Sequence, residues 1–375
     1  MSTGVSSTQV AIVGGGVIGA CCARALAQRG LQVTLFAPTP DPAAASPASA
    51  GMLAAQIEPA DTELLPLVVR SRDLYEDLAA ELKDSTGIDI GFRPMGIATV
   101  AFEEQRATAL FDLVAAQRQA GLRCDWLQAA DMHERWPGVA PRALGALFAP
   151  EDGSLDPTAL VTALLAAVRR LGVTVTPEPA VGLSSVGGHV MGVATAGAIV
   201  PADQVVVAAG AWSSSLAGLP RHLPIEPVRG QLLATPWPEG VPPVILYHGH
   251  KYLLPRGAEA ILGSTMERAG FDARTTIEGL AEIRRVTEQL CPAIGRAPQL
   301  RAWAGLRPVT PDGRPIVGAD PEFAGLWYAT GHGRNGILLA AVTGEIIADL
   351  LATGRTDHDI SPLDVMRFSI GAAGG

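Results

Sequence analysis

The sequence contains little lysine and little cysteine. Only two of its 28 basic residues are lysines, Lys83 and Lys251, so we do not expect a catalytic lysine that forms a Schiff base. The four cysteines have no Cys-x-x-Cys spacing, and two of them, Cys21 and Cys22, are neighbours on one predicted helix. A disulfide framework and a zinc site are therefore not indicated.

Basic clusters and long apolar runs are also missing. The net charge is −9 and no basic stretch stands out, which disfavours nucleic acids and anionic membrane surfaces as partners. The apolar run of residues 10–23 is interrupted by glycines, has no basic segment before it and is too short to cross a bilayer. We therefore expect no transmembrane segment and a cytoplasmic protein.

The chain does contain enough apolar residues for a large folded protein. Of its 375 residues, 48% are hydrophobic, so it can bury a sizeable core and is long enough for two domains. A compact enzyme is the expectation from composition alone.

A strand–turn–helix pattern typical of dinucleotide binding lies near the start of the chain. The apolar residues 9–13 run into Gly14-Gly15-Gly16-Val17-Ile18-Gly19, a helix follows as far as Gly30, and residues 32–36 form a second strand. Gly14 allows the tight turn, Gly16 allows the backbone to approach a pyrophosphate, and Gly19 lets helix and strand pack closely. The second strand separates this pattern from an ordinary glycine-rich loop.

One part of this pattern is missing. An Asp or Glu about 20 residues after the first glycine is expected to bind the ribose, but the sequence there reads Ala37-Pro38. Asp41 is the alternative, although an acid between two prolines is more often a solvated turn residue. No arginine follows the second strand, which argues against NADP.

Periodicity predicts an α/β protein with two interleaved domains. Helices are expected at residues 65–83, 103–120, 157–171, 275–290 and 336–352, and short strands include 88–90, 96–100, 173–175, 204–209, 231–235, 252–254 and 260–263. We interpret residues 1–86, 152–222 and 302–375 as a Rossmann-type cofactor-binding domain. Residues 87–151 and 223–301 are interpreted as an inserted, discontinuous α+β substrate domain built on an antiparallel sheet.

Arg307 is the first candidate for binding a substrate. It precedes Pro308, which biases its backbone toward an extended conformation. Its planar guanidinium suits a carboxylate, which it can bind with two parallel hydrogen bonds. The alternative is an arginine in a surface salt bridge.

A glycine-rich turn at residues 330–336 leads into the last helix. The helix start carries a positive partial charge that stabilises an anion, such as the negative edge of a reduced flavin. For His332 we favour a capping or hydrogen-bonding role over that of a general base.

The segment 246–256 contains two tyrosines and two histidines. The spacing of His248 and His250 suggests a metal site, but no third ligand has suitable spacing, so no metal is predicted. Tyr252, at the start of a short strand, is a candidate donor to a substrate oxygen. The alternative is a half-buried strand aromatic.

Several of these segments together resemble the D-amino acid oxidase superfamily, and within it the glycine oxidases of bacterial thiamine biosynthesis. They are GGGVIG near the start, SAGML at 49–53, VVVAAGAWS at 205–213, LYHGHKYLLPR at 246–256, AGLRPVTPDGRPIVG at 304–318 and TGHGRNGILLAAVTG at 330–344. The resemblance covers nearly the whole chain, and the last three segments are the specific ones.

The resemblance implies a non-covalently bound FAD, since no cysteine lies near Arg307, and oxidation of glycine, sarcosine and small D-amino acids with O2 as acceptor. Transfer of the imine to thiazole synthase and a homo-oligomer are further implications. By the same resemblance, Arg307 and Tyr252 would hold the substrate carboxylate, Arg334 would lie close to the flavin and Met266 would shape the pocket. The implied FAD contacts are Gly14, Gly16, Val17, Ile18, Gly19, Ser46, Ala50, Gly51, Met52, Val181, Gly210, His332, Gly333, Arg334, Asn335, Gly336, Ile337 and Leu338.

Two departures from the family pattern and two alternative functions stay open at this point. Ala37 replaces the acid at the end of the second strand, and Ser46-Pro47 replaces the Thr-Ser pair expected before SAGML, so contacts to the adenosine and pyrophosphate are in doubt. One alternative is a D-amino acid or sarcosine dehydrogenase with another electron acceptor. The other is a flavin-binding subunit without catalysis.

Overall fold

A computed structural model describes residues 8–39, 41–57 and 63–371 of the chain. Its helices are α1 Val17–Gln28, α2 Ala45–Ala48, α3 Leu65–Thr86, α4 Glu104–Gln119, α5 Ala129–Arg135, α6 Pro157–Arg170, α7 Ile277–Leu290, α8 Pro292–Arg296 and α9 Gly336–Thr353. Its strands are β1 Gln9–Val13, β2 Gln32–Phe36, β3 Met52–Leu53, β4 Ile97–Ala101, β5 Asp125–Gln128, β6 Gly145–Ala149, β7 Gly153–Ser154, β8 Thr174–Thr176, β9 Ala180–Val186, β10 His189–Thr195, β11 Ile199–Pro201, β12 Gln204–Val207, β13 Glu226–Pro236, β14 Ile245–His248, β15 Lys251–Arg256, β16 Glu259–Gly263, β17 Arg301–Val309, β18 Ile316–Ala319 and β19 Leu326–Thr330.

The first sheet has six strands in the order β18-β19-β12-β1-β2-β8. Only β18 runs antiparallel to its neighbour, and the other pairs are parallel. The carboxyl ends of β1, β12 and β19 therefore lie at one edge of the sheet, where α/β proteins bind ligands. This arrangement confirms the predicted Rossmann-type α/β sheet.

Helices cover one face of this sheet. α1, α3, α6 and α9 pack together over β1 and β2 in one large apolar cluster. The helical stretch 333–353, which contains α9, is long and apolar enough to cross a membrane by length and composition, but 56% of its most apolar 18 residues are buried inside the molecule. We interpret it as a core helix, because its buried residues contact α1 and α3.

The opposite face is covered by the small antiparallel sheet β11-β10-β9. Leu183 and Val193 of this sheet pack against Val205 and Val207 of β12. The six-stranded sheet is therefore buried on both faces, which explains why β12 is a continuous apolar run.

A second large sheet has eight strands in the order β17-β13-β16-β15-β14-β4-β6-β5. Its pairs are antiparallel except for β14 and β4. α7 and α8 pack on one side of it in an apolar cluster that includes Leu233, Leu253 and Leu262. The expectation of a second, mainly antiparallel sheet built from two separate stretches of chain is met.

Two details differ from the sequence-based interpretation. Residues 302–375 were predicted to belong to the cofactor-binding domain, but β17 pairs along its whole length with β13 in the eight-stranded sheet. The strand expected at residues 88–90 is also absent from the described structure, because this stretch follows the left-handed helix cap Gly87 and makes only an isolated bridge further on, between Arg93 and Ser154.

Candidate functional site

A cavity of about 500 Å³ lies between the two large sheets. One end is lined by the β1–α1 turn, and the other by Tyr252 and Arg307 of the eight-stranded sheet and by Ser264, which follows β16. Residues 44–52 and 332–337 line the stretch between these ends. The cavity therefore joins the predicted dinucleotide motif to the predicted substrate residues.

The β1–α1 turn is shaped by glycines that permit close backbone approach. Gly14 has a φ of +118°, and a Cβ atom there would lie 2.4 Å from the Ala208 carbonyl oxygen. A Cβ atom on Gly19 would lie 1.9 Å from the Gly14 carbonyl oxygen, which explains why Gly19 supports the turn without lining the cavity. Gly16, the N-cap of α1, and the first helical residues Val17 and Ile18 line the cavity, so the positive end of the helix faces it.

Ser46 lines the same end of the cavity and contacts the start of α1. Its Oγ accepts a hydrogen bond of 3.1 Å from the Val17 N–H, in the first turn of α1. The hydroxyl therefore ties the segment 44–52 to the start of the helix, although the Thr-Ser pair expected from the family is not present.

Ala37 occupies the position at the end of β2 where an acid was expected to bind the ribose. Ala37 lies against the turn, since a Cβ atom on Gly15 would be only 2.3 Å from the Ala37 Cβ. Asp41 is exposed, lines the cavity, and accepts a 2.7 Å hydrogen bond from the Ala43 N–H in a local turn. Asp41 is therefore a turn residue. Because it also lines the cavity close to the end of β2, its proposed contact with the ribose stays a prediction.

The second glycine-rich turn places His332 in a buried position. Its Nε2 lies 3.0 Å from Thr343 Oγ1, and burial lowers the pKa of His332 to about 3. The ring is therefore neutral near physiological pH, as a hydrogen-bonding residue requires, and is too weak a base to remove a proton efficiently. Its Nδ1 and the Ser49 Oγ are buried and have no partner among the described residues.

The Arg307 guanidinium is held by two hydrogen bonds and by the space above a glycine. Its guanidinium donates to the Thr265 carbonyl at 3.1 Å and to Ser264 Oγ at 2.8 Å. A Cβ atom at Gly230, on the adjacent strand β13, would lie 1.8 Å from Arg307 Nη1, so only glycine leaves room for the guanidinium. Burial raises the pKa of Tyr252, which therefore remains a protonated donor beside Arg307.

Arg334 forms a cluster that the sequence interpretation missed. Its guanidinium lies 3.0 Å from the Tyr247 hydroxyl and 2.8 Å from His250 Nδ1. Tyr247 pairs directly with Tyr252 across the β14–β15 hairpin, so both tyrosines lie on one face of the sheet. The two tyrosines are equally spaced about the Gly249-His250 turn, and that symmetry is the sequence feature from which the pairing could have been predicted.

The two histidines of this hairpin are not arranged for a metal. His248 Nδ1 faces the Val100 carbonyl and its ring packs against Phe102, whereas His250 faces Arg334. Within the described ranges, no group of three or more His, Cys, Asp or Glu side chains could hold a metal ion.

Most of the predicted site residues lie together on the cavity. Among those that line it are Gly14, Gly16, Val17, Ile18, Ser46, Ala50, Gly51, Met52, Gly210, Tyr252, Arg307, His332, Gly333, Arg334, Asn335, Gly336 and Ile337. Other lining residues were not predicted, and they include Trp212, Leu232, Ser264, Ala54 and Ile57. Their apolar or small side chains carry no chemical pattern that a sequence reveals.

Four predicted residues do not line the cavity, namely Gly19, described above, and Val181, Met266 and Leu338. Val181 is 51% exposed because strand alternation points it outward, while its neighbour Ala180 lines the cavity. Met266 is 45% exposed beyond Thr265. Leu338 is buried in the apolar cluster around α1, since it lies on the core side of α9.

Comparisons with known proteins agree with this arrangement. A family model described as FAD dependent oxidoreductase matches residues 9–350. The chain is 37% identical over 373 residues to a glycine oxidase of Geobacillus kaustophilus, covering 97% of this chain and 98% of that protein. The crystal structure of glycine oxidase from Geobacillus kaustophilus is similar with a TM-score of 0.90 and 34% identity, covering 96% of this chain and 99% of that one.

A bifunctional relative is also similar. The chain is 37% identical over 367 residues to the bifunctional protein ThiO/ThiG of Trichormus variabilis, covering 96% of this chain. The match spans 55% of the length of that bifunctional protein.

Proposed function

The chain belongs to the family of FAD-dependent oxidoreductases, and from this premise we propose that it is an amine oxidase that deaminates glycine, and also sarcosine and small D-amino acids. The single observation that carries the proposal is the position of Arg307 and Tyr252 at one end of a cavity whose other end is a dinucleotide-binding turn. A relative with 37% identity that is named glycine oxidase supports the choice of substrate.

The residues of the cavity fit FAD. The β1–α1 turn and the start of α1 would hold the pyrophosphate, and the buried, unpartnered Ser49 Oγ and His332 Nδ1 would find hydrogen-bond partners on the cofactor. The start of α9 supplies a second helix N-terminus, whose positive partial charge favours an anionic edge. When bound, FAD would accept two electrons from the substrate and deliver them to O2.

Arg307 and Tyr252 would bind the substrate carboxylate. A guanidinium offers two parallel donors, and the Tyr252 hydroxyl adds a third on the same face of the sheet. Arg334, held between Tyr247 and His250, adds positive charge to the same chamber. These contacts fix the orientation of a small amino acid, so positioning supplies most of the catalysis.

Neither His332 nor Tyr252 is suited to remove a proton at neutral pH. His332 has a pKa of about 3, and the pKa of Tyr252 is raised by burial. The substrate amine must therefore be neutral before it reaches the reactive position. For glycine, the overall reaction is glycine + O2 + H2O to glyoxylate + NH3 + H2O2, with the imine as the first product.

The bifunctional relatives suggest where the imine is used. Because ThiO and ThiG are parts of one protein in Trichormus variabilis, we propose that the imine product passes to a thiazole synthase. A cytoplasmic location and a homo-oligomer complete this proposal and stay predictions.

A peroxide assay of the purified, FAD-loaded protein tests the function. We expect catalase-sensitive H2O2 formation with glycine, measured beside sarcosine, D-alanine and D-proline. Reduction of an artificial dye without O2 consumption would instead identify a dehydrogenase. A yellow protein whose flavin is not reduced anaerobically by any of the four amines would contradict the proposal and favour a non-catalytic subunit.

A further inference from the structure

The wall of the cavity at residues 54–57 is held from behind by buried polar side chains. Ala54 and Ile57 line the cavity, while Ala55 and Gln56 between them are buried. We propose, on the basis of the proposed function, that Asp152, Arg72 and Gln56 are positioning residues that hold this wall against the substrate chamber and so keep the chamber fitted to a small amine.

Gln56 is the centre of this network. Its backbone N–H donates to Asp152 Oδ2 at 2.9 Å, and its carbonyl accepts from Gln117 Nε2 at 2.7 Å. Its side-chain oxygen accepts from Arg72 at 2.6 Å, and its Nε2 donates to Gln117 Oε1 and to the Arg123 carbonyl, both at 3.0 Å. α3, α4 and the loop before β7 thus converge on one residue of the wall.

Asp152 is the buried acceptor at the base of the network. It is fully buried between β6 and β7, and its carboxylate accepts from the Gln56 backbone N–H at 2.9 Å and from Arg72 Nη1 at 3.3 Å. Asp152 is therefore bonded directly to the backbone of the wall. Loss of this acceptor would leave the buried Gln56 N–H without a partner, which is costly.

Arg72 is shared among several carboxylates. It contacts Asp73 and Glu151 in addition to Asp152 and is only 5% exposed. Burial lowers the pKa of Arg72, but attraction to its acidic neighbours outweighs this and holds the guanidinium charged. Because one cation serves three acids, burial prevails at Asp152 and raises its pKa to about 7.

The wall is in contact with the residues that bind the substrate. Ile57 and Ala54 pack in one apolar cluster with Leu232, Tyr247 and Tyr252. A shift of the wall therefore changes the space beside Tyr252, and a misplacement of about 1 Å is enough to reduce catalysis strongly. The network acts on the substrate only through this wall, since Asp152, Arg72 and Gln56 do not line the cavity.

The chain offers a matched control for a purely structural role. Asp320 is also buried and accepts hydrogen bonds from Arg221 and the Tyr328 hydroxyl. None of these three residues lines the cavity. Asp320→Asn therefore disturbs a buried arginine–carboxylate pair of the same kind without touching the wall.

The test compares Asp152→Asn and Gln117→Met with Asp320→Asn and the wild type, all loaded with FAD. Asp152→Asn keeps the shape of the side chain but places an NH2 group opposite an N–H donor. Gln117→Met removes both hydrogen bonds between Gln117 and Gln56. KM for glycine is expected to rise about 5- to 50-fold in Asp152→Asn, with a smaller change in kcat. The ratio of kcat/KM for D-proline to that for glycine should rise in both wall variants.

Hydrogen exchange provides a measurement that needs no turnover. Peptides covering residues 50–57 should exchange faster in Asp152→Asn and Gln117→Met than in the wild type, while Asp320→Asn leaves them unchanged. If Asp152→Asn does not fold, Gln117→Met decides the question, because it leaves the charged pair intact.

The outcomes separate this proposal from the proposed function. Unchanged exchange and an unchanged substrate ratio in Gln117→Met would overturn the positioning role. A wild type that does not oxidise glycine would overturn the proposed function, and faster exchange at residues 50–57 in the variants would still support the role of the network in holding the wall.

Discussion

At Arg307, the position of a guanidinium depends on a residue with no side chain. Gly230 lies on β13 beside β17, and a Cβ atom there would overlap Arg307 Nη1 at 1.8 Å. Backbone atoms of a sheet cannot move far, so the arginine would have to move. The carboxylate site is therefore built jointly by one charged residue and one glycine on a neighbouring strand.

Gly230→Ala tests this dependence. We expect kcat/KM for glycine to fall by about 100-fold, approaching Arg307→Ala, for which the loss of a buried charge partner predicts about 100- to 1000-fold. Steady-state kinetics measure both. Gly197→Ala serves as the control, because a Cβ atom at Gly197 would find its nearest neighbour, Glu178, at 4.0 Å. Near-normal activity of Gly230→Ala would show that the guanidinium does not need this space.

The pH dependence of activity is a second prediction at this scale. Because His332, with a pKa of about 3, is neutral throughout the working range, the ionisation of the substrate amine should control the rate. Below the pKa of that amine, kcat/KM should rise about tenfold per pH unit. His332→Gln should change FAD affinity but leave the shape of the profile between pH 6 and pH 10 unchanged. An inflection that disappears in His332→Gln would contradict this reasoning.

At the scale of elements, local patterns predicted the fold well. The bounds of β1 and β2 were predicted to the residue, because glycine turns and apolar runs are local features. α6 begins at Pro157, where a helix was predicted to begin, and its N-cap Asp156 accepts hydrogen bonds from the Thr158 and Ala159 N–H groups. The assignment of β17 failed, because its partner β13 lies some 70 residues earlier and no local pattern reveals such a pairing.

The site was predictable to a similar degree. Arg307 and the glycine motif that begins at Gly14 could be recognised as candidate binding residues from the sequence, and both line the cavity. Tyr247 and the polar network of Gln56 were missed, because their roles depend on hairpin register and on contacts between distant segments. A buried glutamine carries no sign in the sequence that all of its polar groups are used.

The contact between α1 and α9 gives a prediction about stability. A Cβ atom on Gly344 would lie 2.8 Å from the Cys21 carbonyl oxygen, so Gly344 sets the distance between these two helices. Gly344→Ala should lower the free energy of unfolding by about 1–3 kcal/mol through overpacking, although alanine is the better helix former. Denaturant unfolding measures the change, with Gly197→Ala as the control. A more stable Gly344→Ala protein would show that the helices separate without penalty.

For the whole molecule, Asp152 links stability to pH, because the pKa of its carboxyl group differs between the folded and the unfolded state. The ionisable groups around Asp152 are Arg72 and Asp73 on α3, the neighbouring Glu151, and Arg123, Cys124 and Asp125 before and in β5. Burial raises the pKa of Asp152 from 3.8 to about 7. The folded state therefore binds a proton more tightly than the unfolded state does.

The direction of the Asp152 pKa shift determines how the free energy of unfolding depends on pH. The stabilisation from Asp152 is fully present below about pH 4 and is lost as pH rises to about 7, so the wild type should lose about 2–4 kcal/mol relative to Asp152→Asn over that interval and no more above it. Asp320 provides the contrast: burial raises its pKa, but the bonds from Arg221 and Tyr328 outweigh this and leave the pKa below its usual value. The difference between the wild type and Asp320→Asn should thus stay level between pH 4 and pH 7. Denaturant unfolding at half-unit pH steps measures both differences, and a wild type that gains stability relative to Asp152→Asn as pH rises would mean that Arg72 keeps Asp152 ionised.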